Sequence, residues 1–308
     1  MKHLYTVIIL FLILLVSNKL IQLNVKTSTN DQNKFIGQET TKFTNSITLD
    51  QIYTLIESND IGTLEKLLKN NNFSPISNNQ SLTSSPLIYA SELLRKDIVK
   101  MLLSFGFDAN FTNYLGETPL IRTLYSINEA SSNEDIHASF EITKLLVESG
   151  ANINIESSEN KTALEAAIIF DKLEIISYLI ENGGDLFRLD VDSANYLFYC
   201  KSIDCIRLLV QKGLSINSNT QGGVNLLQSL ISSSLLSIDS IEQVIMLGVD
   251  ICHVDNENRS VVDYAELKGI NNNLKKDNVE FFNKKKIENK KTELYQYLLK
   301  EYMSKCDN

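Results

Sequence analysis

One motif returns down the chain at a near-constant interval, and it limits what the chain can fold into. Ser85-Pro86-Leu87-Ile88-Tyr89-Ala90 recurs 33 residues later as Thr118-Pro119-Leu120-Ile121-Arg122-Thr123. Thr162-Ala163-Leu164-Glu165-Ala166-Ala167 and Ser260-Val261-Val262-Asp263-Tyr264-Ala265 are weaker copies. Each opens with a hydroxyl residue whose oxygen can accept a free backbone N–H at a helix start. The first two continue with Pro, which has no N–H to leave unpaired in the first turn. All four read as helix starts.

A second signature reads as a helix stop. Leu102-Leu103-Ser104-Phe105-Gly106 and Leu146-Val147-Glu148-Ser149-Gly150 place a glycine three or four residues after an apolar pair, where a left-handed cap needs a residue without Cβ. The series continues through Gly183, Gly213 and Gly248, in steps of 44, 33, 30 and 35 residues. The step of 44 is 33 plus an 11-residue insertion around Ser126 to His137, where Ser-Ser-Asn-Glu-Asp predicts an exposed loop. Eight residues before the glycines stand Ile98, Ile142, Ile175, Cys205 and Ser240; four before stand Leu102, Leu146, Leu179, Leu209 and Val244. Positions four apart share a helical face. One short stripe cannot be buried within a single unit, so neighbouring units must stack.

The period near 33, the T-P-L helix start and the G-A-x-x-N helix end resemble the ankyrin repeat, from about Thr48 to Met303. Asn113-Tyr114-Leu115-Gly116-Glu117-Thr118-Pro119-Leu120 carries the resemblance most fully. In Asp255-Asn256-Glu257-Asn258-Arg259-Ser260, Asn258 replaces the turn glycine, and Asn tolerates the left-handed conformation. The family's histidine after T-P-L is Ile88, Ile121, Glu165 and Asp263 here, which removes its usual hydrogen bonds but not the stacking. The resemblance implies an all-α ankyrin-repeat helical solenoid, with helix-turn-helix units joined by short β-hairpin or loop fingers. The predicted organisation has seven units, at 48–78, 79–111, 112–155, 156–188, 189–218, 219–253 and 254–304. Thr48-Leu49-Asp50-Gln51 offers a capping box to the first. A lysine-rich insertion from Lys275 to Lys291, then a helix from Glu293 to Met303 with Leu294, Leu298 and Tyr302 on one face, closes the last. A tetratricopeptide stack has a similar period, but the helix starts and ends favour ankyrin.

Residues 1–21 are a different object. Lys2 and His3 precede an apolar run from Leu4 to Val16, short for the roughly 20 residues of a membrane span. It reads as a cleaved signal peptide or, continuing past Lys19 through Leu20 and Ile21, as an uncleaved anchor. It is the one segment that offers membrane contact, and it places the protein on a secretory or membrane-anchored route. Residues 22–47, rich in Asn, Thr, Gln and Lys, read as a polar spacer.

The search for chemistry yields little. No HExxH, GxSxG, P-loop or GxGxxG pattern occurs, and the chain holds three histidines, His3, His137 and His253. No cofactor or metal is called for, and the expectation is a protein that is not an enzyme. A net charge of −9 works against nucleic acid as a partner. The cysteines Cys200, Cys205, Cys252 and Cys306 form no CxxC pair and are few for a disulfide framework in 308 residues. Cys205 falls in a core slot and is expected there as a small hydrophobe, with a disulfide to Cys200 across the interhelical turn, in an oxidising compartment, as the less favoured alternative. Cys252 beside His253 reads as a structural repeat end rather than a nucleophile and base. Lys284-Lys285-Lys286-Ile287-Glu288-Asn289-Lys290-Lys291 reads as a solvated insertion. The expected partner is an unidentified protein, held on the concave repeat surface. The candidate contacts at successive fingers are Phe111, Asn113 and Tyr114; Ile155, Glu156 and Glu159; Phe187 and Arg188; and Asn219 and Gln221. Phe111 and Phe187 either anchor an interface or fold back on their own hairpins.

Overall fold

The computed structural model describes residues 48–70, 85–128, 130–233, 237–266 and 284–306, the last with side chains from 294 onward. The readings of residues 1–47 as signal or anchor and spacer lie outside these, as do the side chains of the lysine run. Helices come in pairs: α1 (Leu49–Glu57) with α2 (Ile61–Asn70), α3 (Pro86–Glu92) with α4 (Lys96–Ser104), and α5 (Pro119–Tyr125) with α6 (Asn133–Glu148). Then follow α7 (Ala163–Ile169) with α8 (Leu173–Glu181), a 3-10 turn (Tyr196–Tyr199) with α9 (Ile203–Gln211), and α10 (Leu226–Ser233) with α11 (Ile238–Met246). A short helix at 261–266 and α12 (Lys284–Cys306) complete the set. First helices pack on first helices, α1 on α3, α3 on α5 and α5 on α7, while α2, α4 and α6 form a second row. Among the described residues there is no strand, and a single isolated bridge joins Asn219 to Asn225.

The helix starts work as their chemistry requires. Ser85, Thr118 and Thr162 each accept a backbone N–H from inside the helix, and Pro86 and Pro119 occupy the first turn. Thr48 and Gln51 form a capping box. The closing glycines Gly106, Gly150, Gly183, Gly213 and Gly248 all have φ between +84° and +112°, the region their position predicts. Ten residues after each lies a second left-handed residue, in order Gly116, Asn160, Ser193, Gly223 and Asn258. The repeat therefore persists where glycine does not, Asn258 included. The stripes are buried at Ile98, Ile142, Ile175 and Cys205 and at all five partners four residues on. Ser240 is the exception: half-buried, it bonds Ser237 at the helix start, and Ile241 takes the core place.

Three expectations need correction. The insertion at Ser126 to His137 is only partly loop, because Ser132 and Asp135 form a capping box and the helix starts at Asn133. Glu134 and Asp135 then sit in its first turn, where the helix dipole favours acids. The last helix begins at Lys284 rather than Glu293, so the lysine run is helical; Leu298 is buried, with Leu294 and Tyr302 packed beside it. The cysteines are bonded, Cys200 to Cys205 and Cys252 to Cys306. Replacement of a first helix by the 3-10 turn leaves Cys200 at its C-cap, with 5.6 Å between its Cα and that of Cys205. The spacing of five residues leaves this pairing open without favouring it; the shortened first helix brings the two together.

An asparagine ladder ties unit to unit. Asn110 donates from Nδ2 to the Gly150 carbonyl at 2.9 Å and accepts from Asn152 N–H at 2.6 Å. Asn154 does the same to Gly183 and Asp185, and Asn217 to Gly248 and Asp250. All three stand four residues after a closing glycine. In the fourth unit that slot is Phe187, and the ladder breaks.

Candidate functional site

The segments between units, 108–118, 152–162, 185–195, 215–225 and 250–260, share one loop design. Asn113, Ser157, Asp190, Thr220 and Asp255 begin a tight turn in which the residue's own N–H bonds the carbonyl four residues ahead. Their side-chain oxygens take N–H groups across the same turn. Asp190 Oδ1 accepts from Asp192 and Ala194 at 2.8 Å each, and Asp255 Oδ1 from Glu257 and Arg259 at 2.9 and 2.8 Å. This saturates backbone groups that a strand pair would otherwise satisfy, so the fingers are loops rather than β-hairpins.

Adjacent fingers are fastened into one edge. Ser158 N–H donates to the Leu115 carbonyl, Gln221 N–H to Asp192, and Asn256 N–H to Gly222. Between the second and third fingers Arg188 makes the link, with Nε and Nη2 on the two Glu156 oxygens at 2.9 and 3.1 Å and Nη2 also on the Asn160 carbonyl at 2.8 Å. At Gly116 a Cβ would stand 3.1 Å from Ser158 N, so the small residue permits this close approach.

These contacts divide the sequence-derived candidates. Asn113 is engaged inside its finger, accepting from Leu115 and Glu117 N–H and donating to the Glu117 carboxylate. Glu156 and Arg188 bind each other, and Glu159 pairs with Lys161 at 2.5 Å. Phe111 and Ile155 are half-buried, while Asn219 and Gln221 are exposed. Tyr114 and Phe187 face outward, 76% and 66% exposed. The same edge also exposes Leu189, Val191 and Val254, which sequence reasoning passed over. Their signal was alternation: in Phe187-Arg188-Leu189-Asp190-Val191-Asp192 every second residue is apolar, and among the described residues no facing sheet covers them.

Beside the edge, the first helices carry a polar cluster. Arg188 lies between Glu156 and Glu165, and its hydrogen bond with Glu156 holds the guanidinium above its usual pKa and that carboxyl below. Burial raises Glu165, against the opposing pull of Arg188. Tyr196 OH meets Thr162 Oγ1 at 3.1 Å, and Tyr199 OH donates to Asp190 at 2.6 Å; burial is the main cause that lifts both phenols. Gln228, at the slot that Ile88 and Ile121 hold in earlier units, donates to the Arg259 carbonyl at 2.8 Å and so bonds its unit to the next. His253 Nε2 lies 2.5 Å from the Gly223 carbonyl, and Cys252 beside it is in a disulfide. Among the described residues no group of three or more His, Cys, Asp or Glu is placed to hold a metal ion, and no helix is long and apolar enough to cross a membrane.

A family model described as ankyrin repeats, in three copies, matches residues 129–220. The chain is 28% identical over 171 residues to the ankyrin repeat protein FPV230 of fowlpox virus, covering 48% of this chain and 90% of that one. It is 24% identical over 151 residues to FPV115 of the same virus, covering 42% of this chain and 28% of that longer protein. Among solved structures, the ankyrin repeat domain of human ASB11 superposes with a TM-score of 0.56 at 18% identity, covering 69% of this chain and 90% of that one.

Proposed function

Because the chain is an ankyrin-repeat stack, we propose that its fingers and first helices hold a protein partner, without covalent chemistry and without a cofactor. One observation carries this reading. Seven large hydrophobic residues are exposed among the described residues, and five of them, Tyr114, Phe187, Leu189, Val191 and Val254, lie on fingers. The other two, Met246 and Met303, lie on second helices. Apolar groups held in water along one edge gain about 25 cal/mol for each Å² that a partner covers, and an aromatic residue is the usual anchor. Stacks of this kind present an extended concave surface beside their loops. The implied action is scaffolding or masking of the partner.

The test is site-specific photo-crosslinking from positions 114 and 191, with position 246 as the second-helix reference. Adducts from the two finger positions support the reading. Adducts from position 246 alone would defeat it.

We propose further that the protein acts in an oxidising compartment, reached by the segment from Leu4 to Val16. The support is that all four cysteines are paired, a state that persists where glutathione does not reduce it. Mass determination of the mature N-terminus, with thiol alkylation before and after reduction, tests this. Four free thiols on a full-length, freely soluble cytosolic protein would refute it.

A further inference from the structure

We infer that the partner segment seated on the finger edge is basic and apolar, a run of Lys or Arg interleaved with large hydrophobic residues. The inference rests on the proposed use of that edge and adds the chemistry of what it holds.

The five fingers together contain ten Asp and Glu against three Lys and Arg. All three cations are already neutralised in place: Lys161 by Glu159, Arg188 by Glu156, and Arg259 by Asp255 and Glu257. No positive charge is left there for an acidic partner. Lysines that are exposed and make no ion pair among the described residues, such as Lys100, sit instead on the second helices. Among the described residues no metal-holding cluster accounts for the excess of carboxylates.

The third finger is where charge and apolar exposure coincide. Phe187, Leu189 and Val191 are 66%, 55% and 83% exposed, and Asp190 and Asp192 stand among them. Asp190 is occupied by its own turn and by Tyr199, but Asp192 lies exposed at the tip with no ion pair among the described residues. A polar partner would leave three large side chains in water, and an acidic one would meet uncompensated carboxylates at a cost in affinity and encounter rate. A segment carrying both cations and apolar groups satisfies both features of the finger. The break in the asparagine ladder lies at the same place: Phe187 makes neither of the two backbone hydrogen bonds that asparagine makes in other units, and its ring tip reaches the Gly213 turn while two-thirds of the side chain stays exposed.

The experiment uses the full chain and three fluorescent 14-residue peptides, of alternating Lys and Leu, Glu and Leu, and Lys and Ser, read by anisotropy. The Lys/Leu peptide is expected to bind at least about tenfold more tightly than either of the others. Asp192→Lys should weaken it about three- to tenfold and Val191→Ser by a similar factor, whereas Asp97→Lys on α4, the same charge change, should leave it within about twofold. A Glu/Leu peptide that binds as tightly as Lys/Leu, yet is released by Val191→Ser, overturns the basic partner and keeps the finger edge. Weakening that is equal for Asp97→Lys and Asp192→Lys, with no effect of Val191→Ser, overturns both.

Discussion

Replacing Phe187 with asparagine should stabilise the protein, although substitution of a large apolar residue by a polar one ordinarily does the opposite. The backbone at 187 already matches that of the ladder asparagines. Phe187 N–H donates to Asp185 Oδ1 at 3.0 Å, as Asn154 N–H does to Asn152 Oδ1 at 3.0 Å. An asparagine there should reach the Gly213 carbonyl and the Ser215 N–H, adding two hydrogen bonds. At a solvent-exposed site each is worth the lower part of the usual range, so the pair adds about 1–2 kcal/mol. Phe187 is 66% exposed, and losing its covered third costs about 0.5–1 kcal/mol. The net is a gain of about 0.5–1 kcal/mol. Phe187→Ala supplies the reference, since it suffers the loss without the bonds and should fall below the parent by about the same amount. Urea melts of the three proteins at constant m-value read the differences as midpoint shifts. Equal stabilities for the Asn and Ala variants would refute the ladder as a source of stability, and the lost apolar contact would then be the whole effect.

Three further perturbations test other parts of the stack. Leu179→Ala, at a fully buried stripe position, should cost about 2–5 kcal/mol in a denaturant melt, and a change under about 0.5 would mean the register is wrong. Asp255 is held down to about 2: burial pushes it up, but the Arg259 and Glu257 N–H groups, Tyr264 OH and the Arg259 guanidinium outweigh that. Its folded pKa lies below the unfolded value of about 3.9, so its stabilisation is complete above that value and is lost as pH falls toward 2. Asp255→Asn should flatten the acid limb of stability between about pH 4 and 2, and an unchanged limb would contradict the assignment. Opening the Cys252–Cys306 bond by the double serine variant removes a cross-link between residues 54 apart, worth about 2–4 kcal/mol. Amide exchange should rise in 294–306 and stay unchanged in α3 to α8, whereas a uniform rise would contradict a local clamp.

The sequence was most legible where one residue decides the backbone. A hydroxyl before Pro86 or Pro119 and a glycine at a left-handed cap act through their immediate neighbours, so spacing alone located the helix ends. The hydrogen bonds of Asn110 and Asn154 reach carbonyls 40 and 29 residues away and belong to the stacked product, not to any local window. The same holds for Cys200 and Cys205, whose meeting depends on a first helix shortened to a 3-10 turn. Asn113 looked like a contact because it is polar and near a tip, yet its amide closes its own loop. At the third finger the alternation of apolar and acidic residues was visible in the sequence, but only the exposure of Leu189 and Val191 shows that nothing within the described residues covers them.

The most direct test of the finger edge as a binding surface is amide hydrogen exchange on the full chain with and without its bound partner. Protection gained in 108–118, 152–162 and 185–195, with α4, α6 and α8 unchanged, is the expected footprint. Protection gained on those second helices, with the fingers exchanging as in the free protein, would contradict it.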